Sequence, residues 1–259
     1  MDTPIELDFL DLGLALGMVA IAIGLSAWQR LGLEGSLALA AARAIVQLLV
    51  LGIVLEFTFA GNQPLFLLGF LLLLLTLTAI ATGNRISRKI PRLFPVVWLA
   101  LFASTAFALL YTQILVLRQP QAGLDPRYAI AFGGLILGNT LNGAAIAGER
   151  FVSSLGSHPL EIETHLCLGA TPQQAVDGYR RDAIRSGFLP TLNATMTVGL
   201  VAIPGLTSGQ LLGGVSPLTA AAYQILVVLM LMLAGLMGTV AIVNGLSKLV
   251  FDDADRLKL

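Results

Sequence analysis

Seven stretches of apolar residues, each close to the length a helix needs to cross a bilayer, constrain this chain more than any other feature. They fall at about 10–27, 37–55, 65–82, 95–117, 128–147, 190–212 and 219–247. A helix needs roughly 20 such residues to traverse the hydrocarbon. Inside lipid every backbone N–H and C=O must find a partner within the protein, so runs like these fold as helices and not as open strands. Composition points the same way. Of 259 residues, 56% are hydrophobic and 12% charged, whereas a soluble domain carries about a quarter charged residues. The expectation is an all-α, polytopic membrane protein, with residues 1–259 forming a single transmembrane domain.

The formal net charge of zero conceals an asymmetry that sets the topology. Alternate loops divide the basic residues into two groups. One holds Arg30, Arg43, Arg85, Arg88, Lys89, Arg92, Arg150, Arg180, Arg181, Arg185, Lys248, Arg256 and Lys258, and the other only Arg118 and Arg127. Basic residues collect on the cytoplasmic side, so the N-terminus is expected outside and the C-terminus in the cytoplasm of a cell (inner or plasma) membrane protein. The acidic start (Asp2, Glu6, Asp8, Asp11) lacks the basic region of a cleavable signal. A lone cysteine, Cys167, excludes an intramolecular disulfide.

A charged, amphipathic segment, 158–189, interrupts this lipid-soluble pattern where a short turn would join two spans. The sequence predicts two short helices. The first covers Pro159–Leu168, with Gly169 free to take a positive φ just after it. Thr171 as N-cap, Pro172 at the first helical position and Gln174 two residues later make a capping box that starts the second, running to about Ser186. Ala175, Val176, Tyr179 and Ile184 share one side, and Arg180, Arg181 and Arg185 gather near the C-terminal end, where cations suit the helix dipole. A folded hairpin on the water side is a docking element. The plainer alternative is a helix pair lying on the headgroups.

The run Glu163-Thr164-His165-Leu166-Cys167-Leu168-Gly169-Ala170-Thr171-Pro172, followed by Phe188-Leu189-Pro190, resembles the EAA loop of ABC-transporter permeases. It departs from that motif in having Thr164 and His165 where two alanines are usual. Almost the whole chain is similar to the FetB-like permeases of bacteria and the related plant aluminium-sensitivity proteins. The matching blocks are Ala42–Leu48, Gly138-Asn139, Leu168–Pro172, Arg181–Arg185 and Val198–Gly205 continuing through Ser208-Gly209. The resemblance implies the membrane subunit of an ABC exporter, a permease homodimer served by two copies of a separate ATPase. For the bacterial branch it implies iron efflux. It also implies that Glu163, Leu168, Gly169, Ala170, Thr171 and Pro172 form the ATPase-coupling surface, with ATP and magnesium held by the partner.

No phosphate-binding G-x-x-x-x-G-K-[ST] loop occurs in the chain, so no cofactor and no enzymatic activity are expected of it, and nothing suggests a nucleic-acid partner. The glycine-rich Gly205–Gly209 stretch lacks the lysine, and no histidine lies in a span to activate Ser208 as a protease nucleophile. Pro204, with Gly205 and Gly209, predicts a kink or break near 204–205 in the sixth span, a hinge or cavity wall. Close helix packing is the plainer use of such glycines.

Polar residues within the spans are candidates for a translocation path: Arg43 and Gln47 one turn apart, Asn139 and Asn142 on one face, Asn193, and Gln224. A lone amide in a span more often binds two helices together, and Arg43 is equally placed to snorkel. His158, Glu161 and His165 offer a formal metal-ligand set, although Glu163 belongs to the coupling motif and the metal, if any, is unknown. The transported substrate is not fixed by the residues. A self-sufficient secondary carrier or channel is the competing class, but it usually shows ionisable residues deep in its helices and inverted repeats.

Cysteine accessibility or reporter fusions are expected to place residues 84–92 and 158–185 in the cytoplasm and residues 118–126 outside. Labelling of 161–185 from the outer face of intact cells would reverse the topology.

Overall fold

The computed structural model describes residues 9–61, 64–87, 90–117, 126–252 and 256–257. They are helical almost throughout. In chain order the helices are α1 (Phe9–Trp28), α2 (Glu34–Gly61), α3 (Pro64–Ile86), α4 (Leu93–Tyr111, prolonged by a π-helical turn, Thr112–Leu117), α5 (Pro126–Ser157), α6 (Pro159–Cys167), α7 (Pro172–Ala175), α8 (Asp177–Thr197), α9 (Gly205–Leu212) and α10 (Pro217–Leu249). Among the described residues five segments are long and apolar enough to cross a membrane: Glu34–Thr58, Phe66–Ile86, Leu93–Val116, Tyr128–Ser157 and Pro217–Leu249. Gly13–Trp28 is a shorter apolar helix.

The sixth expected span, 190–212, does not exist as one helix. The second helix of the insert does not end at Ser186 but continues into the membrane-spanning bundle as α8, with Pro190 inside it.

Contacts divide the chain into two compact units, Met1–Gln63 with Leu212–Gly214, and Pro64–Leu211 with Val215–Leu259. In the first, α1 packs on α2 across a tight turn in which Arg30 (φ 53°) and Gly32 (φ 71°) take the left-handed conformation. Ser26 fastens this turn: its Oγ donates to Glu34 Oε1 at 2.9 Å and accepts from Leu33 N at 3.3 Å.

In the second unit α5 is the central helix, with α3, α8 and α10 around it, and α4 packs on α10 and α3. Apolar side chains gain little by leaving lipid for one another, so membrane helices associate through close backbone approach at small residues. A Cβ placed on Gly187 of α8 would meet the Gly143 carbonyl oxygen and the Ala147 Cβ of α5, and one placed on Gly238 of α10 would meet Thr140 of α5. Gly133 and Gly148 of α5 receive Leu71 and Ile86 of α3 in the same way. Towards the insert the core closes with Phe151, Leu155, Ile242, Val243, Leu246 and Val250, all fully buried.

Gly187→Leu is expected to push α8 off α5 and destabilise the protein by about 1–3 kcal/mol, the usual cost of overpacking. Gly138→Ala on the open face of α5 meets nothing within 4 Å and should be neutral. Thermal unfolding in detergent compares them, and equal midpoints would show that α5 and α8 do not depend on this contact.

Candidate functional site

The insert folds as a compact hairpin whose turn is held by main-chain bonds and a side-chain capping box. At the end of α6 the Gly169 N–H donates to the Leu166 carbonyl and the Ala170 N–H to the His165 carbonyl, both at 3.0 Å. This is a Schellman motif, and it needs the left-handed φ of +91° that Gly169 supplies. The chain then re-enters a helix through both bonds of the capping box. Gln174 N donates to Thr171 Oγ1 at 3.3 Å, and Thr171 N donates to Gln174 Oε1 at 2.9 Å. The second helix of the insert is divided in two rather than continuous. α7 stops after Ala175, and Val176 (φ −109°, ψ 5°) bends the path before α8 begins.

The hairpin is fixed beneath and open above. Ile162, Ala175 and Val176 are buried in the core that contains Phe151 and Leu155, and Tyr179 and Ile184 pack against it. Asp177 pairs with both Arg180 and Arg181 in the first turn of α8. On the opposite side Leu160 is 78% and Leu168 81% exposed, with Glu163, Gly169 and Thr171 exposed and Ala170 and Pro172 half-buried. Of the six residues that resemble the coupling motif, Leu168–Pro172 form this turn and Glu163 lies in the middle of α6.

Two of the residues weighed as a metal set, His158 and Glu161, are otherwise engaged. Tyr179 Oη donates to Glu161 Oε2 at 2.7 Å, and its ring stacks on His158, whose Nδ1 lies 3.0 Å from the Ser154 carbonyl oxygen. Among the described residues no group of three His, Cys, Asp or Glu is arranged to hold a metal ion.

The break in the sixth span is real but lies N-terminal to the expected 204–205. α8 ends at Thr197, Val198 is extended, and Gly199 turns left-handed at φ +80°. The Thr197 carbonyl receives the N–H groups of Leu200, Val201 and Ala202 at 3.1–3.4 Å. Pro204 does not kink a helix. Its carbonyl accepts from Ser208 N, placing it just before α9, where the absence of an N–H costs nothing. Gly205 and Gly209 belong to α9.

The in-span polar residues part company. Asn139 is helix-to-helix glue: its Oδ1 accepts from Thr191 Oγ1 of α8 at 3.4 Å, and its Nδ2 points to the Leu231 carbonyl of α10 at 3.5 Å. Gln224 likewise accepts from Thr207 Oγ1 at 3.0 Å, tying α9 to α10. Asn142 and Asn193 are exposed, and Asn142 Oδ1 accepts from Arg85 Nη1 at 3.1 Å. Arg43 and Gln47 are exposed on α2 within the first unit. Arg85 had no place among the sequence candidates. Its partner lies 57 positions away, and only the register of α3 against α5 reveals it.

These features define a multi-pass, all-α membrane protein bearing a structured hairpin between two of its long helices. The chain belongs to the uncharacterised protein family UPF0014, whose profile matches residues 9–251. It is 44% identical over 253 residues to the UPF0014 membrane protein slr1647 of Synechocystis sp., covering 98% of this chain and 97% of that one. It is 31% identical over 230 residues to the probable iron export permease protein FetB of Escherichia coli (89% and 87% covered). To the protein ALUMINUM SENSITIVE 3 of Arabidopsis thaliana it is 32% identical over 217 residues (84% and 78% covered). No solved structure matches the chain.

Partial burial, and then the adjoining Glu161 carboxylate as acceptor and as negative charge, push the Tyr179 phenol up from 10.0 to about 12. A pKa raised on folding stabilises the folded form below the unfolded value. That contribution is complete below pH 10 and disappears as pH rises towards 12. Ultraviolet titration against a Tyr179→Phe control should find the raised midpoint. Glu161→Gln should lower it without bringing it to 10, because burial persists. A parental midpoint at 10 would mean that neither the burial of Tyr179 nor its contact with Glu161 forms.

Proposed function

We propose that this protein is the membrane-spanning subunit of an ATP-binding-cassette transporter that exports iron or another metal. It acts as a homodimer and is driven by a separate ATPase seated on the α6–α7 hairpin. The observation that carries this reading is the hairpin itself, a rigid turn anchored on one side and uncovered on the other. The positive-inside count puts that turn in the cytoplasm, where an ATPase would meet it. The name of the bacterial relative supports iron as cargo.

The plainer alternative, a helix pair resting on headgroups, fits the geometry less well. The charged pair Glu149-Arg150 interrupts the apolar character of α5, and residues 149–157 carry the helix about 13 Å further to Ser157. In this last stretch Phe151 and Leu155 are buried against the hairpin and α10, so the hairpin packs on protein rather than resting alone. In the proposed cycle, closure of the ATPase pair presses on Leu160, Glu163 and Leu168. The load passes through Val176 into α8, which is continuous from Asp177 to Thr197. The non-helical segment 198–204 is where that movement can be absorbed. ATP hydrolysis and its magnesium ion belong to the partner, since this chain has no phosphate-binding loop.

Copurification from native membranes should recover a small ATP-binding protein with this chain. Glu163→Lys should abolish that recovery, because a like-charge encounter at a partly desolvated contact costs on the order of several kcal/mol. Gly169→Val should do the same by forbidding φ +91°. A Cβ there would meet nothing within 4 Å, so the membrane-embedded fold should survive. Recovery of the ATPase and full transport in both variants would remove the hairpin from the mechanism and favour a self-sufficient carrier.

A further inference from the structure

α5 carries one continuous exposed stripe, Leu135, Gly138, Asn142, Ile146 and Glu149, at the spacing of a single helix face. Its other sides are covered: Gly143 and Ala147 by α8, Gly133 and Gly148 by α3, and Thr140 by α10. In the middle of the stripe stands Asn142, bonded to Arg85 at 3.1 Å.

Arg85 sits in the last turn of α3. Because Leu71 abuts Gly133 and Ile86 abuts Gly148, the two helices run side by side in the same direction. The backbone of Arg85 is therefore level with residue 147 of α5. Its guanidinium reaches back to Asn142, about 7 Å towards the middle of the bundle, the direction in which helical Cα–Cβ bonds tilt. An arginine at the end of a span ordinarily extends the other way, to the headgroups. Both Arg85 and Asn142 remain exposed. Asn142 is the one polar partner of the guanidinium among the described residues, and the group has five N–H donors. At the centre of a span such a charge facing acyl chains costs about 2.5–3.5 kcal/mol, and near its end the guanidinium is satisfied where the stripe faces water or a polar solute.

We propose that Arg85 and Asn142 form an anion-selecting site on the solute path. Asn142 holds the guanidinium fork in place, and the remaining donors take a carboxylate or phosphate group. The inference rests on the permease reading and adds the charge class of its cargo. A metal leaving by this route travels as an anionic complex, clothed in carboxylate or phosphate ligands, rather than as a bare cation. Glu149, two turns along the stripe towards the hairpin, is the opposing charge, while Arg150 beside it is paired with Asp182 at 3.5 Å.

The test uses the full-length chain in lipid nanodiscs without any ATPase, so it is independent of coupling. In a Cys167→Ser background, Gly138→Cys places a thiol one turn from Asn142 where a Cβ meets nothing within 4 Å. Its reaction rates with anionic sulfonatoethyl and cationic trimethylammonioethyl methanethiosulfonate are each normalised to a free thiol. The sulfonate should be favoured by on the order of tenfold, as for a focused positive site. Arg85→Gln should erase the bias, Arg85→Lys should keep it, and citrate should slow the sulfonate reaction with Arg85 unchanged. No reaction with either reagent, equal rates, a cationic preference, or a bias that survives Arg85→Gln would overturn the site. A bias that persists where no ATP-binding protein copurifies would leave the anion site standing and remove only the transporter class.

Discussion

In a bilayer the solvent is as apolar as leucine, so the second unit cannot rely on the burial that holds soluble cores together. What it has instead is proximity. Gly143 and Gly187 let α5 and α8 approach until main chain meets main chain, and Gly238 does the same for α10 against Thr140. Once the backbones are that close, short polar side chains can bridge them, as Asn139 does to Thr191 and to the Leu231 carbonyl. The hairpin depends on this arrangement in turn, because its buried residues rest on the ends of α5 and α10.

The same closeness makes α8 a mechanical element. It starts in the hairpin, lies on α5 at Gly187 and ends at Thr197 without interruption. A helix of this kind is stiff along its axis, and its first compliant point is the seven-residue segment 198–204. There three N–H groups share a single carbonyl, that of Thr197. Compliance and stiffness are therefore segregated along one stretch of chain, as the proposed coupling would require.

Much of this was legible in the sequence, and the failures have physical causes. The apolar runs located α2, α3, α4, α5 and α10 because helix length is fixed by bilayer thickness. Thr171, Pro172, Gln174 and Gly169 announced the hairpin because caps and left-handed turns are local chemistry. Pro204 misled because a proline before a helix and a proline within one look alike in sequence, while Pro190, equally conspicuous, sits inside α8. The run of α8 through 186–190 was missed because its polar first half reads as a separate surface helix. Tyr179–Glu161 and Arg85–Asn142 were invisible because both depend on how helices are registered against each other.

The bonds that shape the hairpin's turn have one further consequence. Those at Gly169 and Ala170 join peptide groups, and those between Thr171 and Gln174 join an amide and a hydroxyl to the main chain. None of these groups takes up or releases a proton in the range where proteins stay folded. Acidification of the surrounding water, which would rearrange a contact built on histidines or carboxylates, leaves the outline of this turn unaltered. The proposed partner would meet the same shape there in a stressed cell as in a resting one.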